Sequence, residues 1–226
     1  MNKINLLTAI FFLSIVALVG FLSQLMDYEA KSNKPLPILT PCDVNPDLYD
    51  SSLKKKCLRH EIKNFNLIDQ LSREVNEELI KNKIVIADFF FVSCGSICPI
   101  MTNQLERVHK KYKHNKNIII LSHTVWPEQD TPEVLLKYAN LHNASHNSWR
   151  FLTGDKKEIY RLARKEYLVA PEINDTNYNH GGEADFVHTQ NIVLVDQKQR
   201  IRGFYNGTDS ADISRLIKDI PLLIKD

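Results

Sequence analysis

Ile84-Val85-Ile86-Ala87-Asp88-Phe89-Phe90-Phe91-Val92-Ser93-Cys94-Gly95-Ser96-Ile97-Cys98-Pro99 is the stretch that decides the fold. From Ile84 to Val92 the residues are apolar with one interruption, the pattern of a strand buried on both faces in the middle of a sheet. Beyond it, Ile100, Met101, Leu105, Val108 and Tyr112 recur on one helical face. Pro99 suits the first turn of that helix, where its missing N–H costs no bond. A central strand therefore gives way directly to a helix, with Cys94 and Cys98 at the junction.

The same alternation continues downstream. Ile118–Leu121 reads as a second buried strand. Asp130-Thr131-Pro132-Glu133 reads as a helix start in which Asp130 is the cap, leading through Val134, Leu135, Tyr138 and Leu141. Asp155 with Glu158 resembles a capping box for a helix through Ile159, Leu162 and Ala163. Ile192–Val195 and Ile201–Tyr205 are expected to pair around the polar turn at 196–200. A last helix is expected from about Ser210, with Pro221 ending or kinking it. Strands alternating with helices imply an α/β sandwich, a sheet layered by helices.

Upstream the character changes. From Ile4 to Met26 the chain carries no charge and is dominated by Leu, Ile, Phe, Val and Ala. About 20 apolar residues in a helix cross a bilayer, so the run is expected to be an uncleaved transmembrane anchor. It exceeds the apolar core of a signal peptide and is followed by no A-x-A-like cleavage site. A lipid-modified cysteine is not expected, because the first cysteine is Cys42. The small excess of flanking positive charge places the N-terminus inside and the bulk of the chain outside the cytoplasm, on the periplasmic side if the cell has an outer membrane. Pro35, Pro37, Pro41 and Pro46 then give a stiff lead-out. The organisation expected is an anchor over 1–26, an extracytoplasmic tether over 27–63 and one domain over 64–226. Cys42 and Cys57 flank the later part of the tether; they could close a disulfide worth roughly 3 kcal/mol or stay as free thiols.

Net charge is +2, with Lys and Arg scattered among almost as many Asp and Glu. The basic footprint of nucleic-acid binding is missing. The chemistry lies at the junction. Helix N-terminal N–H groups and the macrodipole favour thiolate over thiol, which makes a cysteine there a nucleophile or a ligand. Thiolates and imidazole are the donors expected for copper or zinc. A dithiol at a strand–helix turn also suits disulfide exchange, although thioredoxin-type sites space their cysteines by two residues. Two buried, inert cysteines are the alternative, but buried cysteines need no such junction.

Four blocks together resemble the Sco/SenC family. They are the C-x-x-x-C-P run Phe89–Pro99; Thr124-Val125-Trp126-Pro127-Glu128-Gln129-Asp130-Thr131-Pro132-Glu133-Val134-Leu135; Trp149 with Phe151-Leu152-Thr153-Gly154; and Phe186-Val187-His188-Thr189 leading into Ile192-Val193-Leu194-Val195-Asp196. They occur in the family's order over roughly Asn64 to Leu223. The resemblance implies a thioredoxin-like fold that delivers copper to the binuclear copper centre of cytochrome c oxidase. It also implies three ligands, Cys94, Cys98 and His188, suited to Cu(I) and, with a further ligand, to Cu(II). The implied partners are the membrane and the apo copper-binding subunit of a terminal oxidase. The chain departs from the family pattern at Gly95-Ser96, where Pro-Asp is usual, and at Trp126, where Asp is common; neither touches an implied ligand.

Other polar residues have quieter readings. Asp88 in an apolar strand is costly to bury ionised unless paired, and is expected to be hydrogen-bonded or to accept a proton near the thiols. His142 and His146 read as a solvated helix end, His180 as loop, and Lys54–Lys56 as a solvated charge run. Two functions stand: a copper metallochaperone, and a thiol–disulfide oxidoreductase using Cys94 and Cys98 as its redox-active pair.

Overall fold

The apolar run Ile84–Phe90 is a strand whose seven residues are all buried. The computed structural model describes residues 11–23, 35–53, 59–170 and 189–224. Among them the strands are β1 (Asn66–Asp69), β2 (Glu74–Asn76), β3 (Ile84–Phe90), β4 (Ile118–Thr124), β5 (Trp149–Thr153), β6 (Asn191–Val195) and β7 (Ile201–Asn206). The helices are α1 (residues 11–23), α2 (Glu77–Ile80), α3 (Ile97–Tyr112), α4 (Pro132–Leu141), α5 (Lys156–Arg161), continued by a π-helical turn at Leu162–Glu166, and α6 (Ser210–Ile224). The strands form one sheet in the order β2-β1-β5-β4-β3-β6-β7. β3, β4 and β5 run parallel to their neighbours among themselves, and the remaining pairs are antiparallel.

Side chains alternate across each strand, and β3 shows what that does. Val85, Ala87 and Phe89 enter a core shared with α5, the π-helical turn, Ile62 and Phe65. Ile84, Ile86 and Phe90 enter the opposite core, made with Met101, Leu105 and Val108 of α3, Leu135 and Ala139 of α4, and Ile213, Leu216, Ile220 and Leu223 of α6. The three-layer α/β sandwich expected from the sequence is therefore present.

The chain divides into two units, Met1–Pro35 and Leu36–Asp226. The first contains α1, whose residues are exposed. Among the described residues no helix is long and apolar enough to cross a membrane; the rest of the Ile4–Met26 run lies outside them. In the second unit, the later part of the segment expected to be a tether contributes to the fold. Tyr49, Leu53 and Ile62 are buried, and Leu39 bridges Ile201 of edge strand β7. Arg202 explains the grip. It is buried against Asp196 at 2.9 Å and also donates to the Pro37 and Leu36 carbonyls at 3.0 and 2.6 Å. Cys42 is disulfide-bonded; Cys57 and Lys54–Lys56 lie outside the described residues.

Two local expectations meet different outcomes. Asp155 does cap α5, accepting from the Glu158 N–H at 2.9 Å, while the Glu158 carboxylate turns to Arg161. Pro221, expected to end or kink the last helix, does not end it: it lies inside α6, which continues to Ile224. A proline at 221 leaves the Ile217 carbonyl without its helical N–H. The Tyr112 hydroxyl, at the end of α3, donates to that carbonyl at 2.7 Å. The vacancy that should break the helix is filled from its neighbour.

Candidate metal centre

The interior strand β3 releases the chain at its C-terminal end as a turn in which the Cys94 N–H donates to the Phe91 carbonyl at 3.2 Å. Ser96 occupies the cap position of α3 but makes no side-chain cap bond. Its hydroxyl instead lies 3.7 Å from Cys94 Sγ. The unsatisfied N–H groups of a helix start are thereby left to act on the sulfur, and those of Ser96 and Cys98 favour the Cys94 thiolate. Cys98 is the second residue of α3, and its thiol also favours the Cys94 thiolate. Both cysteines are free and buried, Cys94 being 8% and Cys98 4% exposed. The structure thus brings together the two cysteines singled out in the sequence.

Their acidities diverge. Burial opposes ionisation of Cys94, but the Cys98 thiol, the two helix-start amides and the Ser96 hydroxyl outweigh it and bring its pKa down to about 7. Burial, then the adjacent Cys94, push Cys98 up to about 12. In metal-free reduced protein, iodoacetamide is expected to modify Cys94 first, at a rate rising through about pH 7, while Cys98 stays unmodified there. Mass mapping of the labelled peptides checks this; equal labelling of both cysteines at neutral pH would contradict it.

Asp88 lies in β3 in register with Ser122 of β4. It is fully buried, one carboxylate oxygen has no partner, and burial pushes its pKa up to about 7 against a hydrogen bond from Ser122. Its charge acts on Cys98 and on Tyr138 of α4. Ser122 in turn accepts from the Trp149 indole at 2.9 Å. On the other face of the sheet, His123 stacks on Phe89 with ring centroids 4.8 Å apart. Burial depresses its pKa to about 4, so it is neutral at physiological pH.

β6 begins at Asn191, and its antiparallel register with β3 places that start at the end of the sheet from which Cys94 emerges. His188, three positions earlier, lies outside the described residues, as does His180. Among the described residues no group of three His, Cys, Asp or Glu side chains converges to hold a metal ion. His142 and His146 have separate partners: His142 meets Glu106 of α3 at 2.6 Å, and His146 meets Gln70 at 3.1 Å.

Asp130 corrects the sequence reading. The cap position of α4 belongs to Thr131, and the buried Asp130 side chain reaches across to the cysteine loop, accepting from the Val92 N–H at 3.1 Å. That partner is distant in sequence, and no local pattern signals it. Ser122, a short polar residue near the end of an apolar strand, likewise carries no local signal of its role.

The SCO1/SenC family model matches residues 55–225. The chain is 31% identical over 168 residues to the SCO1 protein homolog of Bacillus subtilis, covering 74% of this chain and 84% of the relative. Among solved structures, BsSco is 30% identical with a TM-score of 0.60, covering 73% of this chain and 93% of that one. BsSco is described as a member of the Sco family of cytochrome c oxidase assembly proteins in which a disulfide switch was identified. Arabidopsis thaliana ScoI, solved with copper bound, is 23% identical with a TM-score of 0.54 over 71% of this chain and 98% of its own, a likeness of fold. With a thioredoxin-like sheet, a dithiol at the β3–α3 junction and a family match over most of its length, this chain belongs to the SCO1/SenC family.

Proposed function

We propose that the protein takes up copper as cargo through Cys94, Cys98 and His188 and delivers it to the binuclear copper centre of a cytochrome c oxidase. The observation that carries this reading is the pair of free, buried thiols at the start of α3, each of which shifts the acidity of the other. Two soft thiolates suit Cu(I), and an imidazole gives a three-donor set that, with a further ligand, also accommodates Cu(II). Uptake displaces the thiol protons; Cys94 is poised to release its own near neutral pH, and the metal must displace the one that Cys98 holds. Family membership supports the same reading, since BsSco is described as a member of the Sco family of cytochrome c oxidase assembly proteins. The apolar run from Ile4 to Met26 would hold the domain at the membrane outside the cytoplasm, within reach of the apo copper-binding subunit of the oxidase.

Copper loading of the reduced full-length chain tests the reading. Wild type is expected to bind Cu(I), and His188→Ala is expected to bind about tenfold or more weakly. A reduced wild type that takes up neither Cu(I) nor Cu(II) ends the copper reading. Undiminished binding by His188→Ala removes only that ligand.

A second reading, thiol–disulfide exchange, is favoured by the asymmetry of the pair. Cys94 is the shallower cysteine and touches the Ser96 hydroxyl, whereas Cys98 lies deeper, in the helix. Cys94 thiolate would attack one sulfur of a target disulfide, breaking its S–S bond and forming a mixed disulfide. Cys98 would then attack Cys94, releasing the target as a dithiol and leaving Cys94–Cys98 oxidised by two electrons. A Cys94–Cys98 disulfide that forms at no accessible glutathione ratio would remove this activity.

A further inference from the structure

The parallel ladder between β3 and β4 stops just short of the cysteine loop. Phe90 faces Thr124 as the last register pair, and the Val125 N–H still donates to the Phe90 carbonyl at 2.8 Å. One step further, a continued parallel ladder would join the Val92 N–H to the Val125 carbonyl. That carbonyl instead accepts from the Tyr160 hydroxyl at 3.2 Å. The Val92 N–H goes to Asp130 Oδ2 at 3.1 Å. The same carboxylate oxygen accepts from the Thr124 hydroxyl, whose oxygen accepts from the Trp126 N–H at 3.0 Å. The Asp130 N–H returns to the Trp126 carbonyl at 2.9 Å, closing the turn.

A side chain has therefore taken the place of the sheet two residues before Cys94. Asp130 is only 2% exposed, a setting in which a carboxylate is costly unless hydrogen-bonded. Its bonds come from the two strand ends that flank the dithiol.

We propose that Asp130 is a positioning residue for the Cys94–Cys98 loop. It fixes the point at which the chain leaves the sheet, and so the position from which Cys94 meets Cys98. It also ties that loop to the turn carrying Trp126. The copper arm of the test rests on the copper reading above; the thiol arm does not.

In the reduced, metal-free, full-length chain, Asp130→Ala is expected to change the rate of Cys94 alkylation about threefold or more and to weaken Cu(I) binding about tenfold, as for loss of a hydrogen bond to a charged acceptor. Asp130→Asn keeps a side-chain carbonyl able to accept the Val92 N–H, and is expected to return both readouts to within about threefold of wild type. Circular dichroism identifies the variants that fold. Should Asp130→Ala not fold, Thr124→Val removes one of the two donors and is expected to weaken Cu(I) binding about threefold and to shift the alkylation rate in step. A folded Asp130→Ala, or in its place Thr124→Val, indistinguishable from wild type in both readouts overturns the proposal. So does Asp130→Asn as impaired as Asp130→Ala, because charge and not the accepted hydrogen bond would then be the cause. If wild type binds no Cu(I), the copper reading fails while the alkylation series still decides the role of Asp130.

Discussion

Asp88→Asn is expected to remove a pH dependence worth roughly 4 kcal/mol from the stability of the folded domain. Burial in β3 raises the Asp88 pKa from its ordinary 3.8 to about 7. Below pH 3.8 the folded and unfolded chains both hold the proton, and the Asp88 contribution is fully present. As pH rises from there, the unfolded chain ionises first, so folding takes up a proton and stability falls. The loss is complete above about pH 7, where both states are ionised. Cys94 works in the opposite sense, since its lowered pKa adds stability as pH rises from about 7 to 9. The difference between wild type and Asp88→Asn, measured as urea unfolding at a series of pH values, isolates the aspartate. A wild-type stability parallel to that of the variant between about pH 4 and pH 7 would show that Asp88 is solvated or paired in the folded state.

The largest effect on metal binding is expected from Cys98→Ser, with Cu(I) affinity reduced by more than about hundredfold, because even residues that merely orient a ligand are worth about 10–100-fold. Serine preserves the shape of the side chain and its capacity to hydrogen-bond to Cys94, but replaces a soft donor with a hard one. Competition against a Cu(I) chelator under reducing conditions gives the affinity. A loss smaller than about tenfold would mean that copper does not need both sulfurs. The same variant separates the two readings of the pair, since a protein with Cys94 alone can form a mixed disulfide with a target but cannot resolve it.

Much of this was legible in the sequence because the decisive stretch is local. A continuous apolar run, a proline one residue past the second cysteine and a helical apolar stripe are enough to specify β3, the junction and α3. The β1–β2 hairpin was not assigned, since Asn66–Asp69 and Glu74–Asn76 are too short to display a period. Asp130 was misread for a different reason. Asp-Thr-Pro-Glu is what a capped helix start looks like locally, yet the Asp130 side chain is claimed by an amide 38 positions away. The unequal acidity of the two cysteines was also beyond reach, because it depends on depth and on which helix-start amides are left free. Both are set by packing.

Pro221 carries a lesson about improving such a domain. By propensity alone, alanine inside a helix is favoured over proline by about 3 kcal/mol, so Pro221→Ala looks like an easy gain in α6. Yet an amide at 221 would compete for the Ile217 carbonyl that Tyr112 now holds. Tyr112 lies at the far end of the helix whose other end carries Cys98. The proline is thus half of a lock between two helices, and strengthening α6 as an isolated helix would loosen the seating of the helix that bears the thiols.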